Sequence, residues 1–203
     1  MVSRVASLIS LNNSTLLAFD DFAHVVAAIN VDDAKIELFS GLHGVDMAPM
    51  SVEVSKNDWR YKSPVGAVKD GESIYIAEKT SNQIDVLNTG NNMVKRLIGV
   101  PGGLPMKSGV FSNAAVLEWP TALAMDGTKL YMVSEFANAI QVADMTKEVV
   151  VSLATDATKS ANGKDMVRKP TGIAMLGGAL YVLEKEADPS NKRKLRKFTF
   201  TSP

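Results

Sequence analysis

Short runs along the chain alternate apolar and polar residues with period two, and no stretch sustains the spacing of an amphipathic helix. NQIDVLN from Asn82 and NAIQVAD from Asn138 place an apolar side chain at every second position, as a half-buried strand does. ESIYIAE and TKLYMVSE are short aliphatic and aromatic runs bounded by Gly, Asp and Asn. NMVKRLIG and KEVVVSLA each predict a further strand. PVGAVKDG, PTALAMDG and PTGIAMLGG predict another, and their small residues (Gly66, Ala67, Ala122, Ala124, Gly172, Ala174) suit a crowded place where strands converge.

These runs recur in a fixed order. SPVGAVKDGESIYIAEKTSNQIDVLN from Ser63, WPTALAMDGTKLYMVSEFANAIQVAD from Trp119 and KPTGIAMLGGALYVLEKE from Lys169 align without gaps over their cores. Pro64, Pro120 and Pro170 share one column, and Tyr75, Tyr131 and Tyr181 another. A more diverged copy lies upstream, with Leu17 under Tyr75, Asp20 under Glu78, His24 under Asn82, Asn30 under Asn88 and Gly41 under Gly99. Four strands per repeat of about 50 residues is the arithmetic of a β-propeller blade. We therefore expect an all-β fold, one propeller domain over 1–203 with four repeats near 4–41, 62–99, 118–154 and 168–203.

Pro170-Thr-Gly-Ile-Ala-Met followed by Ala179-Leu-Tyr-Val, and Ile74-Tyr-Ile-Ala-Glu followed by Asn82-Gln-Ile84, carry a resemblance to the NHL-repeat β-propellers. The segment Gly99 to Pro120 resembles that family's inter-blade connection in spacing. The Arg that usually precedes the third strand's Ile is Gln83 or Ala139 here, and the first repeat lacks both its Pro and its Tyr. The pattern starts on an innermost strand and stops after the third strand of the last repeat. Two architectures satisfy this: a closed small propeller, or an incomplete open arc with exposed edges that a partner would cover.

Composition narrows the chemistry. Lys+Arg and Asp+Glu both number 22, so zero net charge gives no general pull toward nucleic acid or anionic membrane. Without cysteine there are no disulfides, thiolate metal sites or cysteine nucleophiles. No apolar run is long enough to span a membrane as a helix. The N-terminal MVSRVASLISLNNSTLLAF has Arg4, several serines and no acid before Asp20, faintly like a transit peptide. Its polar interruptions argue against a secretory signal and fit a first β-strand; the compartment stays open.

The Gly/Pro-rich GVPGGLPMKSG invites a phosphate-loop reading, which fails on inspection. Lys107-Ser108 follows Met106, and Pro101 stands five residues earlier, so both glycines of G-x-x-x-x-G-K-[ST] are missing. Acids after the second strand of each repeat (Asp20, Asp21, Glu78, Glu135, Glu184) are more suggestive. Glu78 and Glu184 with Asn82 and Asn138 could offer oxygens to calcium, as in propeller lactonases, which are related by fold. The competing role is bracing the turn into the third strand through side-chain to backbone hydrogen bonds. His24 and His43 lack metal-ligand spacing and an orienting acid, so no acid–base constellation emerges.

Lys192, Arg193, Lys194, Arg196 and Lys197 form a basic cluster near the C-terminus. It suits solvated edge residues, an acidic protein partner or, as some NHL-like propellers do, RNA. Trp59 and Trp119 are expected to pack between blades. The sequence thus points to a non-catalytic propeller acting as a protein-interaction or assembly module, without a cofactor. A metal-dependent hydrolase or lyase, with calcium, and an RNA-binding propeller are the alternatives.

Overall fold

A computed structural model describes residues 2–42, 52–100, 106–111, 114–154, 167–185 and 193–199. Every regular element among them is a β-strand. Blade 1 comprises β1 (Val5–Asn12), β2 (Thr15–Asp20), β3 (Val25–Asn30) and β4 (Ile36–Ser40). Blade 2 comprises β5 (Val54–Ser55), β6 (Pro64–Asp70), β7 (Ser73–Glu78), β8 (Gln83–Asn88) and β9 (Met93–Ile98). Blade 3 comprises β10 (Gly109–Val110), β11 (Pro120–Asp126), β12 (Lys129–Ser134), β13 (Ala139–Asp144) and β14 (Val149–Ala154). Blade 4 comprises β15 (Pro170–Leu176), β16 (Ala179–Lys185) and β17 (Arg193–Thr199).

Each blade is an antiparallel meander, and the four form a four-blade β-propeller. β5 and β10 pair outside β9 and β14 as short extra strands. Two residues are too few to leave a periodic signal, so the repeat pattern did not announce them.

Turn chemistry fixes the register. Asn88 Oδ1 accepts from the backbone of Gly90 (2.8 Å) and Asn91 (3.0 Å), and Asp144 Oδ1 plays the same part for Thr146 and Lys147. His24, Asn82 and Asn138, one sequence column, all adopt left-handed backbone with φ of 61°, 58° and 49°. Asn tolerates that region better than most residues, which explains its recurrence. The inner strands bulge at one shared place, between Val5/Ser7, Pro64/Gly66, Pro120/Ala122 and Pro170/Gly172. A proline with no N–H to donate is tolerated at such a strand start.

β1 packs on β6, β6 on β11 and β11 on β15, so the innermost strands follow chain order. Between the blades lie three apolar seams. Leu17, Phe19 and Val26 of blade 1 meet Ile74, Ile76 and Leu87 of blade 2. Tyr75, Ala77 and Ile84 meet Leu130, Met132 and Ala143 of blade 3. Tyr131, Val133 and Ile140 meet Leu180 and Val182 of blade 4. Burying a large apolar side chain contributes about 1.5–3 kcal/mol, so these seams hold the blades together. No strand packing of that extent joins β15 to β1.

Gly66 shows how close the inner strands come. A Cβ there would lie 2.6 Å from the Thr121 carbonyl oxygen of the next blade.

Candidate functional site

Where the inner strands begin and the second strands end, one side chain per blade fastens the incoming chain. Asp20 accepts from the backbone of Ser3, Arg4 (2.9 Å), Phe22 (3.0 Å) and Ala23 (2.7 Å). Burial alone would raise its carboxyl, but these donors together hold it at about 2. Glu78 Oε2 accepts from Lys62 (2.7 Å) and Ser63 (2.9 Å). Here burial wins and pushes the carboxyl up to about 7. Glu184 Oε2 accepts from the Arg196 guanidinium at 3.0 Å, and burial raises its carboxyl against that cation. In blade 3 the same position is Ser134, whose hydroxyl donates to the Glu118 carbonyl and accepts from Ala137. Glu135, one residue on, points to a different partner, the Lys185 ammonium at 2.6 Å.

The asparagines latch neighbouring blades. Asn82 Oδ1 accepts from Trp119 N at 2.9 Å, and Asn138 Oδ1 from Lys169 N at 2.7 Å. Glu78, Glu184, Asn82 and Asn138 are therefore spread over three blades, each with an oxygen engaged by this chain. Among the described residues no three His, Asp or Glu side chains gather in one group, and the second oxygens of Glu78 and Glu184 are buried without a hydrogen-bond partner. His24 is a turn residue, and its Nδ1 is buried without a partner. His43 lies outside the described residues.

The basic cluster is divided by the pleat of β17. Arg193 and Lys197 share a face with Leu195, pointing away from blade 3; Lys194 and Arg196 take the other face, beside Glu184. Lys192 lies outside the described residues.

A second acid of interest is Asp85, fully buried in the seam between blades 1 and 2. Its carboxylate accepts from Trp59 Nε1 (2.9 Å) and Gln83 Nε2 (2.7 Å). Burial and the nearby Glu78 raise it well above its ordinary value. Trp59 thus packs between blades as expected, and Gln83 serves this acid.

Trp119 does not pack in that way. It precedes Pro120 in left-handed backbone (φ 48°), 38% exposed, its ring 4.8 Å from that of Phe136, itself 59% exposed. Both rings line a groove of about 510 Å³ with Lys79, Glu135, Asn138 and Lys169. The Lys79 ammonium sits 5.4 Å from the Trp119 ring centroid, a cation–π distance. Glu135 is neutralised by Lys185, whereas neither Lys79 nor Lys169 has a carboxylate partner among the described residues. The groove is thus aromatic with a cationic rim. Phe136 was missed in the sequence because the repeat logic treats EFAN as turn; a large aromatic in a polar turn was the available signal.

No family model matches the chain, and no curated protein matches it. Solved structures do. A Bacteroides thetaiotaomicron protein of unknown function matches with a TM-score of 0.68 at 14% identity, over 96% of this chain and 47% of its own. An auxiliary nutrient binding protein from the same organism gives 0.59 at 12%, over 90% and 45%. The hydrazine synthase of Kuenenia stuttgartiensis gives 0.58 at 15%, over 98% and 47%. The chain is a β-propeller. At such identities the likeness shows the propeller fold alone. The propeller chain spans about half the length of these structures. No helix among its described residues is long and apolar enough to cross a membrane.

Proposed function

We propose that this propeller is a non-catalytic, NHL-like interaction module that takes an acidic, aromatic-bearing segment of a protein partner in the Trp119–Phe136 groove. The observation that carries this reading is the exposed ring pair beside Lys79 and Lys169. Exposed aromatic side chains are the kind of residue that anchors an interface, and two lysines beside them favour an acidic partner. Asp20, Glu78 and Glu184 each spend an oxygen on a hydrogen bond within the chain, which supports a structural role for them.

Trp59 is buried and Trp119 exposed, so binding can be read from tryptophan emission. Titration with Glu-rich peptides bearing one central aromatic is expected to give a saturable change that Lys-rich counterparts do not. Phe136→Ala and Lys169→Glu should each weaken it, and added salt should weaken it further. Equal response to acidic and basic peptides, or none to either, refutes the reading.

A further inference from the structure

We infer that two copies of this chain join end to end, the last blade of each packing on the first blade of the other, to complete one larger propeller ring. This inference uses the two end faces, and does not rest on the groove.

The residue columns make the case. In each blade, one column at the start of the third strand faces the following blade: Val26, Ile84 and Ile140, all fully buried. Its fourth member is Leu195, paired to Leu183, and it is 65% exposed. Tyr75 and Tyr131 are buried against the next blade, while Tyr181 in the same column is only half-buried. The glycine column agrees. Gly66 lies under the backbone of blade 3, but a Cβ on Gly172 would meet only Leu183 Cβ, at 3.6 Å. The fourth blade therefore repeats the approach surface of blades 2 and 3 at Leu195, Tyr181 and Gly172, with none of the described blades on it. Lys197, by contrast, stands in the column of Val86 and Val142 and, with Arg193, adds cations to that face.

The opposite end supplies the complement. Cross-strand pairing puts Leu8 and Leu38 in one row of blade 1, and Leu16, Ile29 and Ile36 in the next, on the face turned away from blade 2. Leu16 shares a column with Ile74, Leu130 and Leu180, each of which is fully buried by the blade before it. Yet Leu8, Ile36 and Leu38 are 54%, 54% and 58% exposed. Ser10 is the one polar side chain in these two rows. Contiguous apolar surface of this kind marks an interface.

A second copy is the occupant these faces fit. Leu195 and Tyr181 stand in columns that meet leading faces three times within the chain. A two-fold axis makes that junction twice and leaves no blade uncovered.

Light scattering on the purified full chain is the test. The expected mass is twice the 21.8 kDa of one chain. Gly172→Leu has room in the isolated chain but would collide with an incoming inner strand, so it should give a folded monomer with unchanged far-UV circular dichroism. Leu195→Asp and Leu8→Lys should each be monomeric alone. Mixing them should restore the dimer, since one junction is then native and the other pairs Asp with Lys. A folded wild-type monomer overturns the inference, as does an open-ended polymer. A dimer indifferent to Gly172→Leu and Leu195→Asp uses another face and overturns it too.

Discussion

At the scale of single residues, burial and hydrogen bonding drive two carboxylates in opposite directions. Glu78 is held at about 7 in the folded chain against an ordinary 4.5. Its contribution to stability is full below the unfolded value and is lost as pH rises through the folded one, because only the unfolded chain releases the proton in that window. The loss amounts to at most about 3 kcal/mol. Urea unfolding of wild type is expected to show a lower midpoint at about pH 8 than at about pH 5. Glu78→Gln, which keeps an acceptor for Lys62 and Ser63, should reduce that difference; an unchanged pH dependence contradicts the assignment. Asp20 has the reverse sign. Its folded value of about 2 lies below the ordinary 3.8, so its contribution is present above 3.8 and is lost as pH falls through about 2. Asp20→Ala strips an acceptor from buried donors and should cost about 2–3 kcal/mol near neutrality, read from thermal unfolding.

At the scale of strands and seams, column position decides what a side chain contributes. Ile140→Ala opens a cavity in the seam between blades 3 and 4 and is expected to cost about 2–5 kcal/mol. Leu195→Ala, in the same column, should cost under about 1 kcal/mol when the chain is dilute, because the side chain is already 65% exposed. Similar losses from both in chemical denaturation would mean that Leu195 is covered. Columns were also what made the fold legible. Proline at the inner-strand bulge and tyrosine in the next strand recur in blades 2, 3 and 4, which share one steric demand there. The chemistry was less legible. Serine replaces the carboxylate at Ser134, and Glu135 next to it draws the eye to the wrong position. Nor could sequence tell buried Trp59 from exposed Trp119. That depends on the left-handed turn at Trp119 and on Asp85 waiting inside a seam for the Trp59 indole.

At the scale of the whole molecule, the described residues form four blades, with exposed apolar side chains on the outer faces of the first and fourth and a groove lined by Trp119 and Phe136. The groove spans blades 2, 3 and 4, so it is complete within one copy. Phe136→Ala should therefore lower peptide affinity about tenfold or more without changing the solution mass. The end faces behave differently, because their exposed apolar side chains are covered when a second copy packs on them. Hydrogen exchange followed across a dilution series tests that directly. Amides of β1 and of β15 to β17 should gain protection as concentration rises, while those of β7 and β8, enclosed between blades 1 and 3, stay constant. Protection of the end blades equal to that of β7 and β8 at every dilution would contradict the account.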